Sequence, residues 1–152
     1  VISGMIKSIQ QFFREALQPV EAENNEQKIA LAAAALLVEI MQMDHQSTNE
    51  EVQTIKILLQ EILQLTPAQT DELFALASQE INRSVDIFQF TRLINEHYNR
   101  AEKYRLLVAL WQVAFADQSL DKYEESRIRK ICDLLYLDHV DFIRAKKEAS
   151  PQ

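Results

Sequence analysis

A chain of 152 residues, 47% hydrophobic and 26% charged, is long enough to close one domain around a real core. A net charge of -7 argues against a nucleic-acid binder, whose footprint is a basic stripe. A single glycine, Gly4, excludes the glycine-rich loops that cradle nucleotide phosphates, and the abundance of Ala, Leu, Glu, Gln and Lys over three prolines predicts an all-α fold.

Val1–Gly4 reads as a non-native leader, with Met5 expected as the native start. Ile6, Ile9, Phe12, Phe13, Ala16 and Leu17 then follow helical spacing, giving a first amphipathic helix that ends near Pro19. The polar stretch Glu21–Asn25 reads as a linker, so residues 1–24 form an N-terminal helix and linker. Asn25 is the expected N-cap of a second helix running to Asp44. Its apolar run Ile29–Met43, interrupted by Glu39, is too short to cross a bilayer. Thr48-Asn49-Glu50-Glu51 fits a capping box that opens a third helix, with Val52, Ile55, Leu58, Leu59 and Ile62 as its buried face. Thr66-Pro67-Ala68-Gln69 opens a fourth, placing proline where its missing N–H costs nothing.

A fifth helix over Val85–His97 buries Ile87, Phe90, Leu93 and Ile94 and joins two halves. Asn99 caps a sixth helix, Arg100–Asp117; Asp121-x-x-Glu124 opens a seventh that reaches Leu137; Asp138 caps a short eighth. The charged tail beyond Arg144 is expected to fray.

The pair Asp44 and Glu51 recurs with the same internal spacing as Asp117 and Glu124. At that same offset Leu37 pairs with Leu110, Ile40 with Val113, Ile55 with Ile128 and Leu58 with Ile131, so core positions repeat along with the acids. Near the helix ends the offset shortens by one position, matching Leu63-x-Leu65-Thr66 with Leu135-x-Leu137-Asp138. The expected architecture is therefore a compact bundle of about eight helices. A helical domain over 25–148 holds two pseudo-symmetric repeats, about 25–82 and 99–148, joined by the fifth helix.

The aspartates end apolar stripes (Ala33, Leu37, Ile40, Asp44 and Leu106, Leu110, Val113, Asp117), whereas the glutamates head them. Carboxylates aimed into a helix seam need a cation, hydrogen bonds or a proton, because an unpaired buried charge costs several kcal/mol or more. Capping accounts for Glu51 and Glu124, which sit at N3 of their helices. It leaves Asp44 and Asp117 at helix C-termini, facing the negative end of the dipole. A hard divalent cation such as Ca²⁺, Mg²⁺ or Mn²⁺ answers that, with Asp121 as an added oxygen ligand; His45 reads first as an exposed turn histidine, with a nitrogen that would admit Zn²⁺ as the alternative. Neither turn has the ligand spacing or central glycine of an EF-hand.

The run Ala32-Ala33-Ala34-Ala35-Leu36-Leu37-Val38-Glu39-Ile40-Met41 through Asp44 and Glu51, and Leu110-Trp111-Gln112-Val113-Ala114-Phe115-Ala116-Asp117 through Asp121 and Glu124, resemble the TerB-like family of bacterial tellurite resistance. Phe90-Thr91-Arg92-Leu93-Ile94-Asn95-Glu96-His97 resembles its stand-alone bacterial branch, and the similarity covers roughly Glu26–Lys147. The resemblance implies an all-helical fold with pseudo-twofold halves, no established enzymatic activity, and metal-binding acids at Asp44, Glu51, Asp117 and Glu124, with Asp121 added. Glu39 matches a helix acid of the family's first repeat; its counterpart here is Gln112. Relatives occur in tellurite and stress-response systems, some near membranes, and similar domains are fused to J-domain cochaperones. The family turn usually reads Asp-Gly, where this chain has Asp44-His45 and Asp117-Gln118.

Trp111 and Phe115 read as core. Phe12 and Phe13, beside Lys7 and Arg14, read as a face that docks on the bundle, with peripheral membrane or partner contact as the alternative. His97 and His139 have no nucleophile near them in sequence, and Cys132 reads as a small buried hydrophobe whose isolation suits a reducing cytoplasm. Glu125 is expected to pair with Arg129. These features predict a cytoplasmic, non-enzymatic module that binds a divalent cation and scaffolds unidentified proteins. The rival is a purely structural interaction domain whose acids cap helices, and a metal-dependent hydrolase is a weaker third.

Overall fold

A computed structural model describes residues 23–41, 49–83, 87–116 and 122–150. Among the described residues are seven α-helices and no strands: α1 Glu23–Met41, α2 Asn49–Leu63, α3 Pro67–Arg83, α4 Phe88–His97, α5 Arg100–Phe115, α6 Lys122–Leu134 and α7 His139–Ala149. The expected first helix, Ile6–Leu17, lies outside them, so these seven answer to the second through eighth of the sequence reading.

Two helices make the centre. Every residue from Ala32 to Val38 in α1 is buried, and so is every residue from Leu106 to Trp111 in α5. A helix apolar on all sides has to be enclosed on all sides. α1 packs against α2, α3, α4, α5 and α6, while α5 packs against α1, α2, α6 and α7. Four consecutive alanines, Ala32–Ala35, let neighbouring backbones approach α1 closely. The outer helices are amphipathic: α2 buries Ile55, Leu58 and Leu59, α6 buries Ile128, Ile131 and Cys132, and α7 buries Phe142 and Ala145.

Three starts follow the expected local chemistry. Gln69 N–H donates to Thr66 Oγ1 (3.2 Å) and Thr66 N–H to Gln69 Oε1 (2.9 Å), a reciprocal box around Pro67. Asn99 and Glu102 do the same at α5, both bonds being 2.8 Å. At α7, Asp141 N–H donates to Asp138 Oδ1 (2.9 Å) and Asp138 N–H to Asp141 Oδ2 (3.3 Å). The end of α6 closes by a Schellman pattern: Tyr136 N–H donates to the Asp133 carbonyl (3.0 Å) and Leu137 N–H to the Cys132 carbonyl (3.1 Å). That places Tyr136 in the left-handed region at φ 61°, and Gln64, just past the end of α2, takes φ 55°. Both turns use a residue with a Cβ where glycine is the usual choice.

Four local expectations are corrected. α1 already begins at Glu23, so Asn25 lies inside the helix and the polar stretch is partly helical rather than a linker. α4 starts at Phe88, later than Val85, with Ile87 at its N-cap and no side-chain cap. The tail does not fray at Arg144. α7 runs to Ala149 because Arg144 lies over the Tyr104 ring (4.3 Å), Tyr104 Oη donates to Glu148 (3.2 Å) and Ala145 is buried. Ile62 shares the helical phase of buried Ile55, yet it is 39% exposed because the last turn of α2 lines an open cleft.

Candidate functional site

The acidic positions begin with two glutamates in matching places. Glu51 is the third residue of α2 and Glu124 the third of α6; their relative exposures are 0% and 1%. Their neighbours in sequence behave differently: Glu50 is exposed, and half-buried Glu125 forms an ion pair with Lys146 (3.3 Å). Helical phase explains the contrast, since Glu51 lies one turn before Ile55 and Glu124 one turn before Ile128, and both isoleucines are fully buried. A first-turn carboxylate benefits from the positive end of the helix dipole and from free backbone N–H groups. Each glutamate holds interactions of its own, while its Oε2 atom accepts no hydrogen bond among the described residues.

Asp44, Asp117 and Asp121, with His45, lie outside the described residues, so the structure places the glutamate half of each expected pair. Glu39 and Gln112, the matched positions within α1 and α5, are both half-buried. Among the described residues no group of three or more His, Cys, Asp or Glu side chains is arranged to hold a metal ion.

The other polar clusters tie helices together. Arg100, at the start of α5, pairs with Asp138 (3.4 Å) and with buried Asp141, linking the caps of α5 and α7 across 41 residues of sequence. Asp138 is held below the usual carboxylate range, first by the Asp141 backbone N–H and with help from Arg100. Asn95 Nδ2 donates to the Leu134 carbonyl (2.9 Å), satisfying one of the orphan acceptors at the end of α6. No local spacing announces these contacts. The expected Glu125–Arg129 pair does not form: Glu125 turns to Lys146, and Arg129 stacks over Phe142 (4.4 Å).

A family model described as tellurite resistance protein TerB matches residues 30–147. The chain belongs to the TerB family. No curated protein and no solved structure matches it. In this TerB chain the matched span runs from the second turn of α1 to the last turn of α7, and so takes in both central helices and both buried glutamates. Trp111 is fully buried, stacked with Phe115 (centroids 5.8 Å) and edge-on to Phe142 (5.0 Å), as core packing requires. Cys132 is 2% exposed, and burial pushes its thiol up to about 11, against the reactive thiolate. Among the described residues no helix is long and apolar enough to cross a membrane.

Proposed function

We propose that this TerB-family chain is a non-enzymatic helical module built by duplication, in which each half binds a divalent cation at an acid turn and the outer surface assembles other proteins. The observation that carries the metal reading is the burial of both Glu51 and Glu124, each the third residue of its helix. Two surface-type side chains are enclosed in the same turn of two matching helices. The duplication is supported by the packing: α1 meets α2 and α3 as α5 meets α6 and α7, and α2 meets α5 as α6 meets α1. It is supported again by the left-handed residues Gln64 and Tyr136 at matched helix ends.

On this reading Glu51 acts with Asp44, and Glu124 with Asp117 and Asp121, as oxygen ligands for Ca²⁺, Mg²⁺ or Mn²⁺, and His45 would extend the first turn to Zn²⁺. The cation would neutralise enclosed carboxylates and brace each helix junction. A role in stress or tellurite resistance is supported by family membership, and a cytoplasmic location by the isolated, buried Cys132. The capping reading is favoured by one specific observation, the first-turn position of both glutamates, where the backbone alone can hold a carboxylate.

Thermal melting separates the two. The chelated protein is melted alone and with each of Ca²⁺, Mg²⁺, Mn²⁺ and Zn²⁺, as wild type and as the Glu51→Gln, Glu124→Gln double variant. At a cation concentration about 100 times Kd, each occupied site adds about 2.7 kcal/mol to the stability of the folded state. For a chain of this size that raises Tm by roughly 5–10 °C per occupied site. A cation-specific rise present in wild type and lost in the variant is the expected result; equal, flat responses would reduce the acids to helix caps.

A further inference from the structure

Charge is divided unevenly along the chain. The first 83 residues hold 5 basic and 12 acidic side chains and the remaining 69 hold 11 of each, so the whole net charge of -7 belongs to the first part. The outer faces of α2 and α6 follow this division. On α2, Glu50, Gln53, Ile57 and Glu61 are exposed and form one stripe at spacings of three and four, with Ile57, 52% exposed, between the two acids. Lys56, the one base of that helix, is turned to Asp71 (3.1 Å) on α3. On α6, Lys122, Tyr123 and Lys130 are exposed, and Asp133 is the one exposed acid. Lys122 lies over the Tyr123 ring (5.4 Å) and Lys130 over the ring of Phe88 (6.0 Å) at the start of α4. Both rings face outward, Tyr123 being 60% and Phe88 50% exposed. By the offset that matches the acid pairs, Glu50 answers to Tyr123 and Ile57 to Lys130, so equivalent helices present unlike faces.

We propose that the outer face of α2 receives the outer face of α6 from a second copy of this chain. The spacing fits. Glu50 and Ile57 are seven residues apart, as are Tyr123 and Lys130, so helices laid antiparallel set Ile57 against Tyr123 and Glu50 against Lys130 together. Glu61, one turn past Ile57, then falls at the start of α6, where Lys122 and the positive end of the helix dipole lie. An exposed isoleucine flanked by glutamates thereby meets an exposed ring flanked by lysines. Within one copy α2 packs on α1, α3 and α5, and α6 on α1, α4 and α5, so the two outer faces are offered at once. The contact is heterologous, and successive copies close a ring or continue as a chain. Net charge repels copies at a distance, but physiological salt screens that repulsion beyond about 8 Å, and the paired side chains meet well inside it. At about 1.5 Å per residue α2 is only about 22 Å long, which makes the contact small and the association weak.

Sedimentation velocity on the full chain at physiological salt tests this, over about 20 µM to about 1 mM protein to span weak Kd values. The samples are wild type, a Glu50→Lys, Glu61→Lys variant, a Lys122→Glu, Lys130→Glu variant, and an equimolar mixture of the two variants. Wild-type mass should rise with concentration. Each variant alone should associate at least about tenfold more weakly, because attraction at two pairs becomes repulsion. The mixture should recover association, since the reversed faces match each other as the native ones do. A milder Glu50→Gln, Glu61→Gln variant should weaken association several-fold, and melting curves report that the bundle is intact. Wild type that stays monomeric throughout, or a Gln variant that associates as wild type does, would overturn the proposal. So would folded reversal variants that associate alone as wild type does, or whose mixture recovers nothing.

Discussion

Replacing Gln64 by glycine should stabilise the protein. Gln64 is exposed and holds φ 55° at the end of α2, so the substitution removes a Cβ from the left-handed region while leaving the packing of buried Leu65 in place. The left-handed conformation costs an L-residue about 1–2 kcal/mol. Glycine returns up to about 1 kcal/mol of that as lost backbone entropy, leaving a net gain of about 1 kcal/mol. With roughly 2.1 cal/mol/K of unfolding entropy per residue, a chain of this length gains about 3 °C in Tm. Tyr136→Gly should gain less, because the ring, 79% exposed, also gives up its contact with Lys103 (5.8 Å), which at the surface is worth about 0.5 kcal/mol. The assay is thermal and urea unfolding followed by circular dichroism, with Gln64→Ala and Tyr136→Ala as controls that keep the Cβ. Glycine variants no more stable than their alanine controls at both sites would refute the strain argument.

Asn99→Ala should cost about 1 kcal/mol by opening the box with Glu102, and Asn99→Asp should restore most of it, as read by urea midpoints. Leu37→Ala, at a fully buried position in α1, should cost about 2–5 kcal/mol, whereas Ile57→Ala, on the exposed side of α2, should stay within about 0.5 kcal/mol, again by urea unfolding. Cys132 titrates at about 11 in the fold against an ordinary value of 9.0. The folded state therefore holds its proton more tightly than the unfolded chain. Its contribution is complete below an ordinary thiol's titration and is lost as pH rises through about 11; Cys132→Ala should flatten that part of the stability-pH curve, and an unchanged slope would refute the burial argument.

What was legible in the sequence is what local chemistry decides. Thr66-Pro67, Asn99 and Asp138 announce helix starts because the donors they satisfy lie three residues away. The burial of Glu51 and Glu124 was legible from phase alone. Partner choice over long separations was not: Arg100 finds Asp141, and Lys146 takes Glu125 from Arg129, only because α5, α6 and α7 are brought together by the core. Ile62 misled for a related reason. Periodicity states which face a residue is on, but an apolar face is buried only where another element reaches it. The extension of α7 to Ala149 likewise depends on Tyr104, far away in the chain.

The enclosure of α1 has a consequence for biosynthesis. It leaves the ribosome before the other described helices, and its contact with α5 must wait until synthesis has passed from Met41 to Phe115. At about 5–20 residues per second that interval is roughly 4–15 seconds. Throughout it, the run Ala32–Val38, which the fold buries on every side, has nothing native to cover all its sides, so the nascent chain presents the kind of apolar stretch that holding chaperones bind. The capping boxes of the later helices then matter for timing as well as stability. By starting α3, α5 and α7 at fixed residues they shorten the search that ends the exposure of α1.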